Sequence, residues 1–315
     1  MAEDHKYNKP QDLIGKKISH YRVNRIIGKG GMGTVYEAHE PTLDRKVALK
    51  VLSLDASTSK ENVDRFKREA KVLAQIEHPN VVRIYQLGRV GSVIFIAQEF
   101  VEGTDFETIV DEGGALDLGT ALDVIDSVAS ALSAVHDVGV IHRDLKPSNV
   151  MRRTDNRIKV LDFGIAKPVA TTLGPEITRT GMFIGTLGYC SPEQIRGDKL
   201  TIRSDIYSLG VMLYYFLTAE VPNKGTRTEE MLQETLSGKV MPIRKRRADL
   251  AHPVIHLVER LMHREEKRRP ESAAIVRSRI LEIQEYLKSQ IKQMAPSGRG
   301  GERGIFSLLK RFFSR

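Results

Sequence analysis

The stretch His142–Val150, HRDLKPSNV, decides how the rest of the chain is read. Its mixed charges and Pro147 favour a loop over a helix. It follows an apolar helical stretch, TALDVIDSVASALSAVHDVG (120–139), whose closing Gly139 is a natural C-terminal stop. Within the loop, Asp144 and Asn149 stand five positions apart. A carboxylate there can orient an incoming hydroxyl and accept its proton, while an amide oxygen suits a hard cation such as Mg²⁺. Lys146 adds a positive charge, of use where a transferring group carries negative charge that needs electrostatic stabilisation.

Downstream, IKVLDFGIA (158–166) reads as an apolar strand that ends at Asp162 and is followed by Phe163 and Gly164. A carboxylate at a strand end is well placed to hold a metal, and Gly164 permits an unusual backbone turn. The tripeptide Asp-Phe-Gly is common by chance. It gains meaning from standing thirteen residues after Asn149, behind a buried strand.

Upstream, GKGGMGTVYE (28–37) places Gly28, Gly30 and Gly33 in the pattern G-x-G-x-x-G. Two unrelated phosphate-binding devices share it: the strand-to-helix turn of a dinucleotide fold and a hairpin flap over a nucleotide. The first requires a helix after the last glycine and an acidic residue about twenty positions on. Thr34, Val35 and Tyr36 favour a strand instead, and Asp55 lies past a second strand. The glycines alone also fit a tight hairpin that binds nothing. In VALK (47–50) the next strand offers Ala48, which leaves room for a flat ring, and Lys50, which can neutralise phosphate oxygens. The helical stretch SKENVDRFKREAKVLAQI (59–76) carries Glu69, expected to turn inward and hold the head of Lys50. The alternative is an exposed glutamate on a charged helix.

From Tyr21 to Phe100 the chain is strand-rich, with YRVNRII and TVYEAHE as a hairpin-like pair, then KVALKVL, VVRIYQLG and SVIFIAQEF. After Val101–Gly103 the period becomes helical, including 204–218, 252–263 and 271–293. An α+β chain in two lobes follows from this order. The 315 residues, 41% hydrophobic and 28% charged, exclude a disordered chain and allow about two lobes. A net charge of +9 fits nucleotide phosphates, nucleic acid, anionic membranes or acidic partners alike. One cysteine, Cys190, rules out an intrachain disulfide and suits a reducing compartment. It is expected to pack, with a redox handle as the alternative. The polar start shows no secretory h-region, and the longest apolar run, LGVMLYYFL (209–217), reads as a core helix. A cytoplasmic location is expected.

Taken together from Ile18 to Leu287, the motifs resemble a bacterial eukaryotic-like (Hanks-type) Ser/Thr protein kinase. The resemblance implies a β-rich N-lobe with one main helix at 18–102 and a helical C-lobe at 103–293. Residues 1–17 would be an N-terminal extension, and 294–315 a flexible linker and basic amphipathic tail. It implies ATP with Mg²⁺, or Mn²⁺ in its place. Ile27, Gly28, Lys29, Gly30, Gly31, Met32, Gly33, Thr34 and Val35 would cover ATP. Lys50 would hold the α- and β-phosphates and pair with Glu69. Asp144 would be the catalytic base, with Lys146 beside the reacting group and Asn149 and Asp162 on the metal. Gln98 would be the gatekeeper, Glu99 and Val101 would offer backbone groups to adenine, and Val35, Ala48 and Met151 would enclose the ring. Leu73, Ile84, His142 and Phe163 would stack as a spine.

By the same resemblance, GTLGYCSPEQ (185–194) closes the activation loop, with Ser191 where many members have alanine. Glu193 would pair with Arg269, and Asp205 would hold the backbone of the catalytic loop. The pair Gly185-Thr186 and the run Lys146-Pro147-Ser148 are Ser/Thr forms, so protein substrates with Ser or Thr acceptors are implied and nucleic acid is not. Thr186 would hydrogen-bond Asp144 and Lys146. Arg143 would await a phosphate, expected on Thr178 or Thr180 by autophosphorylation. A transient kinase dimer is compatible with the family. The alternative is a pseudokinase that binds nucleotide as a scaffold, disfavoured because Lys50, Glu69, Asp144, Asn149 and Asp162 are all present.

Two basic features remain. The tail GIFSLLKRFFSR (304–315) would be amphipathic as a helix, fit either for peripheral contact with an anionic membrane or for packing on its own lobe or on a partner. RKRR (244–247) reads as a solvated loop, available to acidic substrates.

Overall fold

Alternation of buried and exposed residues over Tyr21–Glu40 folds into a hairpin. The computed structural model describes residues 10–30, 33–52, 60–91, 93–164 and 187–294. Strands β1 (Lys17–Ile18), β2 (Tyr21–Gly30), β3 (Gly33–Glu40), β4 (Arg45–Leu52), β5 (Ile84–Val90) and β6 (Val93–Glu99) form one antiparallel sheet in the order β1-β2-β3-β4-β6-β5. The hairpin closes with Gly30 paired to Gly33. A Cβ on Gly33 would lie 2.2 Å from the carbonyl oxygen of Val51, so only glycine lets β3 run this close to β4 there. Register places Val35 opposite Lys50, and Ala48 opposite Gln98.

One face of this sheet packs as its own core, with Tyr21, Tyr36, Leu49 and Phe95 buried among others. The opposite side joins a larger core. There Ala70 and Leu73 of α1 (Lys60–Leu73), together with Ile84 and Ile96, merge with the helices that follow. One apolar cluster therefore runs through both lobes, and between them Lys50 of β4 reaches Asp162.

A second, three-stranded sheet, β7 (Gly103–Asp105), β8 (Val150–Arg153) and β9 (Ile158–Val160), joins the lobes. Its hairpin β8–β9 comes directly after the loop 142–149. Helix α2 (Phe106–Gly113) starts at an Asp105 cap and α3 (Leu118–His136) at an Asp117 cap, each carboxylate accepting a backbone N–H of the first turn. Beyond them come α4 (Pro192–Arg196), α5 (Ile202–Thr218), α6 (Thr228–Ser237), α7 (Ile243–Arg246), α8 (His252–Leu261) and α9 (Ala273–Met294).

Several expectations shift. Helix α3 stops at His136, three residues before the predicted glycine, and Gly139 (φ 76°) takes the left-handed turn that follows. Among the described residues α3 is also the one helix long and apolar enough to cross a bilayer, but most of its apolar window is buried in the fold. It is a core helix, and a longer one than the run at 209–217. RKRR is not a free loop either: its first three residues lie in α7, and Arg244, Arg246 and Arg247 pair with Glu259, Glu220 and Asp249.

Candidate active site

The loop 142–149 is held from below by one buried carboxylate. Asp205, in the first turn of α5, accepts the backbone N–H groups of His142 (2.8 Å) and Arg143 (2.9 Å) and the Nε2–H of His136 (2.7 Å). Burial alone would raise the pKa of Asp205, but these donors and the two histidines hold it below the usual carboxylate value. Arg143 adopts φ 63°, a left-handed conformation uncommon for arginine, and the Asp205 grip stabilises it. Burial pushes the imidazole of His142 down, and its Nε2 contacts the carbonyl of Leu161 at 3.0 Å.

This scaffold gathers the expected residues. Asn149 Nδ2 donates to the Asp144 carbonyl at 2.8 Å and lies 3.5 Å from Asp144 Oδ2, while Lys146 Nζ stands 3.9 Å from the same oxygen. The Asn149 carbonyl accepts from Leu161 N–H at 2.8 Å, which fixes β9 and hence Asp162 beside the loop. Asp162 itself has φ 48°. Gly164 donates to the His142 carbonyl at 2.7 Å, and a Cβ there would sit 2.5 Å from that oxygen, so the close approach demands glycine. Phe163 packs on His142 with ring centroids 4.7 Å apart, and Leu73 and Ile84 belong to the same buried cluster. With its nitrogen committed to Asp144, the Asn149 amide keeps an oxygen available, and Asp162 adds a carboxylate. Two hard oxygen donors fit a divalent cation that fills its shell with phosphates and water. Among the described residues no cluster of three or more His, Cys, Asp or Glu competes for that role.

The charge pairing differs from the expected one. Lys50 Nζ is 2.8 Å from Asp162 Oδ1, and Glu69 Oε1 is 3.0 Å from Arg143 Nη1. The charged partners shown for Lys50 and Glu69 are thus Asp162 and Arg143. The physical reason lies in Arg143. Its backbone is pinned by Asp205, its carbonyl accepts from Gln194 Nε2 at 2.9 Å, and its side chain is 13% exposed. A guanidinium that deep requires a counter-charge. Glu69, 14% exposed, supplies it, and Lys50 takes the carboxylate at the end of β9 instead.

Of the residues expected around the nucleotide, Ala48, Gln98 and Val101 are buried and Met151 half-buried, while Ile27 and Lys29 are exposed. Thr34 is buried within β3. Glu99 was expected to act through its backbone. Its carboxylate is also engaged, by Arg153 and by Lys159, a residue that sequence reasoning passed over as part of an apolar strand. Gly31, Met32, Thr178, Thr180, Thr186 and the tail 304–315 lie outside the described residues.

Below the cleft, Glu193 and Arg269 form a two-fold pair at 2.6 and 2.9 Å, with the Arg269 side chain 0% exposed. Arg269 also donates to the carbonyls of Arg203 and His263. Burial alone would raise the pKa of Glu193, but the hydrogen bonds and charge of Arg269 keep it lowered. This pair fastens α4, directly after the 187–191 segment, to the turn before α9.

Residues 21–281 match the protein kinase domain family. Among curated relatives, serine/threonine-protein kinase pkn3 of Myxococcus xanthus is 39% identical over 271 residues, covering 83% of this chain and 50% of the relative. Serine/threonine-protein kinase PrkC of Bacillus subtilis is 41% identical over 214 residues, covering 68% of this chain and 33% of its own length. PknB of Mycobacterium tuberculosis is 36% identical over 267 residues, 84% of this chain and 42% of the relative. The chain thus spans between a third and a half of these relatives. The crystal structure of the Mycobacterium tuberculosis PknI kinase domain superposes with a TM-score of 0.67 at 26% identity, covering 85% of this chain and 98% of that one.

Proposed function

The chain belongs to the protein kinase family, and on that premise we propose that it transfers the γ-phosphoryl group of Mg·ATP to Ser or Thr residues of proteins. The observation that carries this reading is the convergence of Asp144, Lys146, Asn149 and Asp162 around one loop, with Lys50 reaching Asp162 from the other lobe. Asp144 orients the acceptor hydroxyl and takes its proton. Lys146 neutralises charge on the transferring group. Asn149 and Asp162 would hold Mg²⁺, which supplies Lewis-acid and charge-neutralising chemistry at the phosphates. Gly28, Gly30 and Gly33 let the β2–β3 hairpin approach the phosphates without side chains intervening, and the 98–101 segment receives the adenine.

Regulation follows from the pairing of Glu69 with Arg143. A phosphate on Thr178 or Thr180 competes for Arg143 as a stronger anion. Its capture frees Glu69 for Lys50, which then holds the α- and β-phosphates instead of neutralising Asp162. A pseudokinase reading finds no support in the residue set, which is complete.

The test is transfer of labelled phosphate from ATP to the chain itself and to a generic basic protein, with Asp144→Asn as control. The expected outcome is label on Ser or Thr, lowered in the variant by a factor on the order of 10² or more. Equal labelling by the two proteins refutes the assignment.

A further inference from the structure

Lysine is almost never fully buried unless paired. Lys159, the middle residue of β9, is 9% exposed. Its ammonium donates to the carbonyl of Val81 at 3.0 Å and to Glu99 Oε2 at 2.8 Å. Glu99 Oε1 accepts from Arg153 Nη1 at 2.8 Å, and Oε2 also accepts the backbone N–H of Arg83 at 3.2 Å. Glu99 is the last residue of β6, where the chain leaves one lobe for the other. Arg153 ends β8 and Lys159 lies in β9. One carboxylate at the lobe boundary is thus gripped by both strands of the β8–β9 hairpin.

That hairpin also carries the site. Asn149 directly precedes β8, Met151 lies within it, and Asp162 follows β9 by two residues. Backbone bonds between Val82 N–H and the Val160 carbonyl, and between Val160 N–H and the Asn80 carbonyl, run along the same seam. Those bonds fix β9 to the loop ahead of β5. Among the described residues, the Glu99 carboxylate supplies the direct side-chain hydrogen bond between β9 and the segment 99–101, beside the apolar contact of Val101 with the cluster that holds Ile158 and Val160.

We propose that Lys159 is a positioning residue for the nucleotide: through the Glu99 carboxylate it sets the placement of the 99–101 segment relative to the hairpin that ends at Asp162. A ligand held at both ends, its ring at 99–101 and its phosphates at Asp162, binds best when that span is fixed in advance, because less ordering is left to the binding step. The inference rests on the functional reading in one respect, that an adenine nucleotide occupies this cleft.

Lys159→Met removes the ammonium and keeps most of the side-chain bulk. Glu99 retains Arg153 and the Arg83 N–H, so the carboxylate is not left bare. The expected result is a dissociation constant for ATP, and a KM for ATP, raised about tenfold, with kcat within about twofold of the parent; tenfold is about 1.4 kcal/mol. A merely structural role would lower the melting temperature or move kcat and KM together. Lys159→Arg, which keeps a cation, should recover most of the affinity. Glu99→Gln should weaken binding similarly, and the double variant Lys159→Met/Glu99→Gln should be no weaker than the weaker single one. Binding is read with a fluorescent adenine nucleotide on the full chain, so it does not depend on phosphoryl transfer. A failure here is therefore distinct from a failure of the labelling test. Unchanged affinity in Lys159→Met overturns the proposal, as do losses that add in the double variant. If Lys159→Met does not fold, Glu99→Gln bears the same test, and parental affinity in it overturns the proposal equally.

Discussion

At the scale of single residues, the buried ions explain both order and vulnerability. Arg269 is enclosed, two-fold paired to Glu193 and bonded to two backbone carbonyls. Removing one member of such a pair leaves an uncompensated charge, which costs about 3–5 kcal/mol. Arg269→Met should therefore lose stability on that scale in denaturant unfolding, and Arg269→Met/Glu193→Gln should lose less than Arg269→Met alone. His142 gives a second prediction. Its folded pKa is lowered, chiefly by burial, although Asp205, Asp144 and Asp162 pull it the other way. Between the usual imidazole value of about 6.5 and its folded value, the unfolded chain binds more protons. Stability should then be full above about pH 6.5 and fall as the pH drops below it. His78, also lowered mainly by burial, acts in the same direction. The lowered carboxyls of Asp205 and Glu193 add a further loss on acidification below about pH 4. Unfolding free energies at pH 8, 6.5 and 5.5 check this. In His142→Tyr the loss between the last two should shrink; an unchanged profile would remove His142 as its source.

At the scale of elements, Ser191 resolves a departure from the family pattern. It is the N-cap of α4: its hydroxyl accepts from Gln194 N–H, and the Gln194 side chain accepts from Ser191 N–H. Such a capping box satisfies donors that alanine would leave bare. Ser191→Ala should cost about 1 kcal/mol in thermal or denaturant unfolding. The loss should grow in a variant that also lacks the Gln194 side chain, since Gln194 additionally donates to the Arg143 carbonyl. Elements of this kind were partly legible in the sequence. The β2–β3 hairpin could be read because alternation and glycine spacing are local signals, and the Asp205 grip because its motif resembles a family's. Helix α2 could not: FETIVDEG is short, and its Asp105 cap is meaningful only once β7 ends there. The partners of Lys50, Glu69 and Lys159 were illegible for another reason. Each of these side chains finds its counter-charge 60 or more residues away, and which of several eligible ions wins depends on burial that only packing decides.

At the scale of the whole molecule, charge is unevenly spread. The net charge is +9, of which +4 lies from residue 299 onward. Within 304–315, Lys310, Arg311 and Arg315 accompany Ile305, Phe306, Leu308, Leu309, Phe312 and Phe313. Two destinations compete for this segment. One is an apolar groove of about 560 Å³ between α8 and α9, lined in part by Leu257, Ile283 and Tyr286. The groove also presents His256, Arg260 and Arg279, and Glu282, its one acid, is already paired with Arg279 at 2.7 Å. A basic segment gains no electrostatic attraction there. An anionic bilayer offers roughly 1 kcal/mol for each basic residue near the surface, in addition to burial of the apolar side chains. On that balance the expected destination is the membrane. The full chain should co-sediment with vesicles containing phosphatidylserine at low salt, bind neutral phosphatidylcholine vesicles more weakly, and be released as salt rises. A chain ending at Ala295 should stay in the supernatant in each case. Equal sedimentation of the two chains would assign the tail elsewhere, and protection of 304–315 from proteolysis without vesicles would point to the groove.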